Sequence, residues 1–178
     1  MKWKNLDCDT NVFFITATIT EWQPLFTHEQ PRNILLSDFE FYRHKYDNRI
    51  HSYVIMPEHY HIIVSFKKPD QLHNWLKDVQ GHSSNEISKW LRATAHPRHL
   101  AVYEKHSNGG AKLAVWKEQA RAVGITSLSA LRTKIHYLHA NPVRRELVDN
   151  PEDWKWSSWR NYFLDDDSLF RVDRIDLT

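Results

Sequence analysis

Residues 51–66 read HSYVIMPEHYHIIVSF, and the fold turns on how this stretch is read. Val, Ile, Tyr and Phe dominate it, the composition of extended chain. Pro57-Glu58 interrupts it, and a proline cannot donate to a ladder. The stretch therefore predicts two strands, over 50–56 and 59–66, joined by a tight turn. Alternate side chains of a strand share a face, so His59 and His61 project together while Tyr60 and Ile62 point the other way. Two imidazoles side by side on a strand can grip one metal ion, the strand fixing their spacing. The chain has twelve histidines, so a chance pair is expected. The competing reading is two partly exposed histidines on an edge strand.

Working outward, VFFITATI over 12–19 predicts a first strand. Thr27 and Gln30 have capping-box spacing and Pro31 suits a first turn, predicting a helix over 28–46 with Ile34, Leu35, Phe39 and Tyr42 facing the core. A second helix is expected over 71–95 from Leu72, Trp75, Leu76, Val79, Ile87, Trp90 and Leu91, with Gly81 a candidate kink. Residues 97–110 lack periodicity and predict a loop. A short strand is expected within 113–123, around Val115-Trp116. Thr126 or Ser127 caps a last helix with a Leu128, Leu131, Ile135, Leu138 stripe, which Pro142 is expected to end near Asn141. The order β-α-β-β-α-β-α predicts an α+β fold, an antiparallel β-sheet with helices packed on one face, as in ferredoxin-like or RRM-like sandwiches.

With 178 residues, 41% hydrophobic and 26% charged, one globular domain over 1–178 is expected, with its core over about 12–150 and a C-terminal tail over about 151–178. No apolar run approaches the roughly 20 residues of a membrane span, so no membrane partner is expected. The start, MKWKNLDCDT, does not read as a signal peptide, and the single Cys8 cannot pair internally; both predict a cytoplasmic protein. A net charge of +2 supports nucleic-acid binding only weakly, so any positive surface must be local. Trp154, Trp156, Trp159 and Tyr162 read as packing residues rather than a base-stacking platform.

Tyr137 and Asn141, at i and i+4 in HYLHANPV, share a helix face that is not the apolar stripe. His136 and His139 flank Tyr137 and read equally as ligands or as a solvated face. An ion held by His59, His61 and the Asn141 amide oxygen would keep positions open for a phosphoryl group. A nearby tyrosine hydroxyl could then attack phosphorus and leave a covalent phosphotyrosine. Phenol is also a good leaving group, and that reversibility suits strand transfer better than hydrolysis.

MPEHYHIIV at 56–64 resembles the HUH signature of single-tyrosine transposases, and KIHYLHANPVRRELVDNPEDWKWSSWRNY at 134–162 resembles their REP-associated tyrosine transposase branch. The resemblance covers most of 12–162. It implies that His59, His61 and Asn141 bind a divalent ion, Mg²⁺ or Mn²⁺, with Zn²⁺ the alternative by ligand preference. It implies that Tyr137 cuts single-stranded DNA, leaving a 5′-phosphotyrosine and a free 3′-hydroxyl. The expected partners are single-stranded DNA hairpins formed by imperfect palindromes. Arg144 and Arg145, with Lys77 and Lys89 on the preceding helix, are the candidate DNA-binding residues. Tyr60 stands where bulky apolar residues are usual in that family, and its ring is expected to pack inward. A monomer with the tyrosine in cis and a homodimer exchanging it are both open. Two other functions compete: a non-catalytic hairpin DNA- or RNA-binding regulator on the same fold, and a phosphohydrolase using water.

Overall fold

Strand β1 (Val12–Thr18) lies at the centre of the structure, paired antiparallel with β3 (His59–Ser65) on one side and β4 (Arg121–Gly124) on the other. β2 (Arg49–Ile55) pairs with β3, giving a four-stranded sheet of order β2-β3-β1-β4. The structure is a computed structural model that describes residues 11–95, 97–105, 113–117 and 120–177. Among these, the helices are α1 (Glu29–Tyr46), α2 (Gln71–Thr94), α3 (Pro97–Lys105), α4 (Leu128–Arg144) and α5 (Trp159–Phe163). The fold is α+β, with an antiparallel sheet in ferredoxin-like strand order. No helix among the described residues is long and apolar enough to cross a membrane.

Alternation along the strands sorts the core into two layers. Phe13, Ile15, Tyr60, Ile62 and Val64 pack with Leu35 and Phe39 of α1 and Trp75 and Leu76 of α2. The other face carries Phe14, Val54, Met56 and Ile63, which meet Leu131, Ile135 and Leu138 of α4. The sheet is thus covered twice, by α1 and α2 together and by α4 opposite. Tyr60 is fully buried, its ring edge-on to Phe39 and Trp116. The chain after 150 joins both layers. Trp156, Phe170 and Val172 enter the first, and Ile175 and Leu177 pack on the second.

Several expected local features differ. Residues 97–105 are helical, with Leu100 packed on the first layer and Tyr103 buried in it; the 106–110 part of the expected loop lies outside the described residues. The fourth strand is Arg121–Gly124, and Trp116 makes only an isolated bridge to Ile19. The N-cap of α1 is His28 without a side-chain cap bond, because the Thr27 hydroxyl donates to the Pro24 carbonyl, 2.7 Å away. α2 runs unbroken through Gly81. Leu128, 55% exposed, lies outside the apolar stripe.

Pro142 does not end α4, which continues to Arg144. A proline lacks the N–H that would reach the carbonyl four residues back, here that of Leu138. The Asn141 amide stands in, donating to the carbonyls of Tyr137 at 2.9 Å and Leu138 at 3.4 Å.

Candidate active site

Strand β3 is an interior strand, not an edge, and His59 and His61 are 6% and 7% exposed. Their register sets their surroundings. Thr16 lies opposite His61 and Thr18 opposite His59, so two small hydroxyl residues face the two rings across the β1–β3 ladder. The Thr16 hydroxyl sits 2.8 Å from His61 Nδ1. His59 Nδ1 donates to the Glu58 carboxylate at 3.1 Å, since an ionised carboxylate can only accept. The two Nε2 atoms then face each other, 3.2 Å apart.

Burial, opposed by the Glu58 charge, lowers the pKa of His59. Burial, the neighbouring His59 and Lys134 bring that of His61 down to about 3. Both rings are neutral at pH 7. Two neutral imidazoles at this distance share one proton between their Nε2 atoms, or turn both lone pairs toward a cation. The Thr16 hydroxyl suits either tautomer because it can donate or accept. A separation of 3.2 Å also matches two neighbouring ligands at metal–nitrogen distances of about 2.1 Å. Among the described residues no cluster of three or more His, Cys, Asp or Glu side chains is placed to hold a metal. A third protein ligand here must be of another kind, and Asn141 lines the same cleft. With its amide nitrogen turned to the α4 carbonyls, its Oδ1 is the group left for the cleft. The residues therefore fit a divalent cation.

α4 is held in phase from its other side. His139 is buried, its Nε2 at 2.9 Å from Ser158 Oγ and 3.2 Å from Ser52 Oγ, a network shared with β2. This answers the role of His139: it ties the helix to the sheet rather than lining the site, while His136 is exposed. Tyr137, two positions before His139, is thereby turned to the histidines. Its ring, 37% exposed, lies 6.1 Å from His61 and 6.1 Å from Phe14. Lys134 Nζ stands 5.5 Å and the Arg144 guanidinium 5.2 Å from the same ring. Arg145 reaches back to Glu58 at 2.9 Å, so that one buried carboxylate ties His59 to the end of the tyrosine helix.

One cleft of about 330 Å³ collects Thr16, Thr18, Trp22, His59, His61, Tyr137, Asn141, Arg144 and Arg145. Six of the eight residues singled out in sequence meet there. Lys77 and Lys89 do not: α2 lies on the opposite face of the sheet, and Lys89 is paired with Glu86 at 2.6 Å. Sequence reading missed Thr16, Glu58, Trp22 and Lys134. Glu58 and Lys134 had a signal, adjacency to His59 and i−3 spacing from Tyr137. Thr16 needed the strand register, and Trp22 the turn that carries it.

The fold that carries this cleft is also present among solved structures. The chain shares its fold with a REP-associated tyrosine transposase bound to a REP hairpin, at a TM-score of 0.69 and 15% identity over 100% of this chain and 93% of that one. A putative transposase from Deinococcus radiodurans R1 also aligns, at 13% identity over 77% of this chain and 95% of that one, with a TM-score of 0.45. No family model matches the sequence, and no curated protein matches it.

Proposed function

We propose that this chain is a metal-dependent single-stranded DNA endonuclease and strand transferase, a transposase that cuts at hairpin-containing sequences through a 5′-phosphotyrosine. The observation that carries the reading is the convergence of Tyr137, the His59–His61 pair and Asn141 in one cleft, with Lys134 and Arg144 over the tyrosine ring. A hydrolase has no use for a half-exposed tyrosine between two cations, and a pure binder has no use for the buried histidine pair. The solved protein of the same fold is bound to a REP hairpin, which supports hairpin DNA as the substrate class.

His59, His61 and Asn141 would hold Mg²⁺ or Mn²⁺, which when bound polarises a phosphoryl oxygen and stabilises the charge of the transition state. Lys134 and Arg144 bring positive charge to the phosphate beside the hydroxyl. The Tyr137 hydroxyl oxygen forms a bond to phosphorus, the bond from phosphorus to the 3′ oxygen breaks, and the phenolic proton is lost as the 3′ oxygen gains one. A 3′-hydroxyl attacking the phosphotyrosine reverses the step and joins strands. All these groups come from one chain, so a monomer acting in cis suffices.

Labelled hairpin oligonucleotides with single-stranded flanks, incubated with Mn²⁺, test the reading. Cleavage by the wild type that is absent in Tyr137→Phe and in His59→Ala supports it. Cleavage surviving in Tyr137→Phe would replace it with hydrolysis by water. Tight hairpin binding without cleavage in any divalent metal would leave a regulator.

A further inference from the structure

At the mouth of the cleft stands a residue the proposed chemistry does not use. Trp22 is 53% exposed, although a large aromatic side chain ordinarily seeks cover. Its backbone is also strained. Glu21 and Trp22 are consecutive non-glycine residues in the left-handed region, with φ of 49° and 55°. Such strain persists only where the surroundings enforce it, and it gathers at functional sites. Here the turn Thr20–Trp22 is pinned from several sides. Thr20 N donates to the Val115 carbonyl at 2.9 Å, Trp22 N to Ile19 at 3.0 Å and Gln23 N to Thr20 at 3.1 Å, while Glu21 pairs with Lys105 of α3 at 3.7 Å.

The result is an indole carried out at the rim by a pinned turn. It meets the His59 ring edge-on at 6.2 Å, and Lys117 Nζ lies 5.7 Å from its centroid. A flat aromatic face beside a cation, next to a cleft built for a phosphodiester, is the pairing by which single-stranded nucleic acids are held: bases stack while charge follows the backbone.

We propose that Trp22 is a stacking platform for one unpaired base of the single-stranded flank, adjacent to the phosphate in the His59–Tyr137 cleft. The proposal rests on the nucleic-acid reading of that cleft. The rigid turn sets the distance between stacked base and cleft, so Trp22 would select which phosphodiester reaches Tyr137. Stacking tolerates any base, so the contribution is to register and affinity rather than to sequence readout.

The probes are a fluorescein-labelled DNA hairpin with a short oligo(dT) flank, the same hairpin without the flank, and flanked hairpins with an abasic site at each flank position in turn. Binding is measured with Tyr137→Phe protein so that no bond is cut. Trp22→Ala is expected to weaken the flanked hairpin by roughly 5- to 150-fold, leave the flankless one unchanged, and abolish the penalty of one particular abasic position. Trp22→Phe is expected to retain most of the affinity. Unchanged affinity in Trp22→Ala, equal loss with and without the flank, or abasic penalties that stay the same in the variant would each overturn the platform. Cleavage by protein with Tyr137 intact separates the two readings. A covalent adduct without flank coupling sinks the platform and keeps the chemistry, whereas flank coupling without an adduct keeps the platform on a non-catalytic binder.

Discussion

Replacing Glu58 by alanine removes a carboxylate that touches both halves of the site. Its side chain is 8% exposed and accepts from His59 Nδ1 at 3.1 Å and Arg145 Nη1 at 2.9 Å. Without it, His59 can carry its proton on Nε2, the atom that would present a lone pair to the proposed cation. Loss of such an outer partner of a metal-binding histidine costs about 10–100-fold in metal affinity, or ~1.4–2.7 kcal/mol. Arg145 is half exposed and can return to water, so the cost in folding stability is smaller, about 1 kcal/mol. Glu58→Gln keeps an acceptor oxygen toward Nδ1 and is expected to fall between wild type and alanine. The assay is titration of Mn²⁺ followed by the paramagnetic resonance of the free ion, with urea unfolding as the control for fold. Wild-type Mn²⁺ affinity in a well-folded Glu58→Ala protein would show that Glu58 does not fix the His59 tautomer.

Lys134→Ala and Arg144→Ala are each expected to weaken hairpin binding several-fold and to reduce the slope of log affinity against log salt by about 1, as phosphate contacts do. Binding measured across a salt series checks this. His139 has its pKa pushed down to about 3 by burial, then by His136, from an ordinary 6.5. The unfolded chain therefore takes up this proton first as pH falls. Its contribution to stability is complete above about pH 6.5 and is lost toward pH 3, at up to ~1.4 kcal/mol per pH unit. Urea unfolding at pH 7 and pH 5 should show a smaller loss on acidification in His139→Gln than in wild type, by about 2 kcal/mol.

The strand 59–66, the shared face of His59 and His61 and the facing of Tyr137 with Asn141 were legible because each follows from a local period, two along a strand and 3.6 along a helix. The order β-α-β-β-α-β likewise carried the antiparallel sheet. What was hidden depends on pairing across the chain. Thr16 reaches His61 only through the β1–β3 register. The site of β4 is set by what β1 leaves open, so the apolar Val115-Trp116 misled. α3 is too short for its Leu100–Tyr103 spacing to stand out. Pro142 implies a stop because the residue before a proline is pushed away from the α region, yet Asn141 stays helical, its side-chain amide donating to the carbonyls of Tyr137 and Leu138. Lys77 and Lys89 fall away from the cleft because nothing in α2 itself says which face of the sheet it covers.

In the proposed reaction the Tyr137 oxygen becomes bonded to DNA phosphorus. Its most direct test is to incubate wild-type protein with a flanked hairpin oligonucleotide and Mn²⁺, denature, digest with protease and nuclease, and sequence the nucleotide-bearing peptide by mass spectrometry. The expected result is a 5′-phosphodiester on Tyr137 and none in His59→Ala protein. Cleaved DNA with an unmodified Tyr137 peptide, or an adduct on another residue, would contradict it.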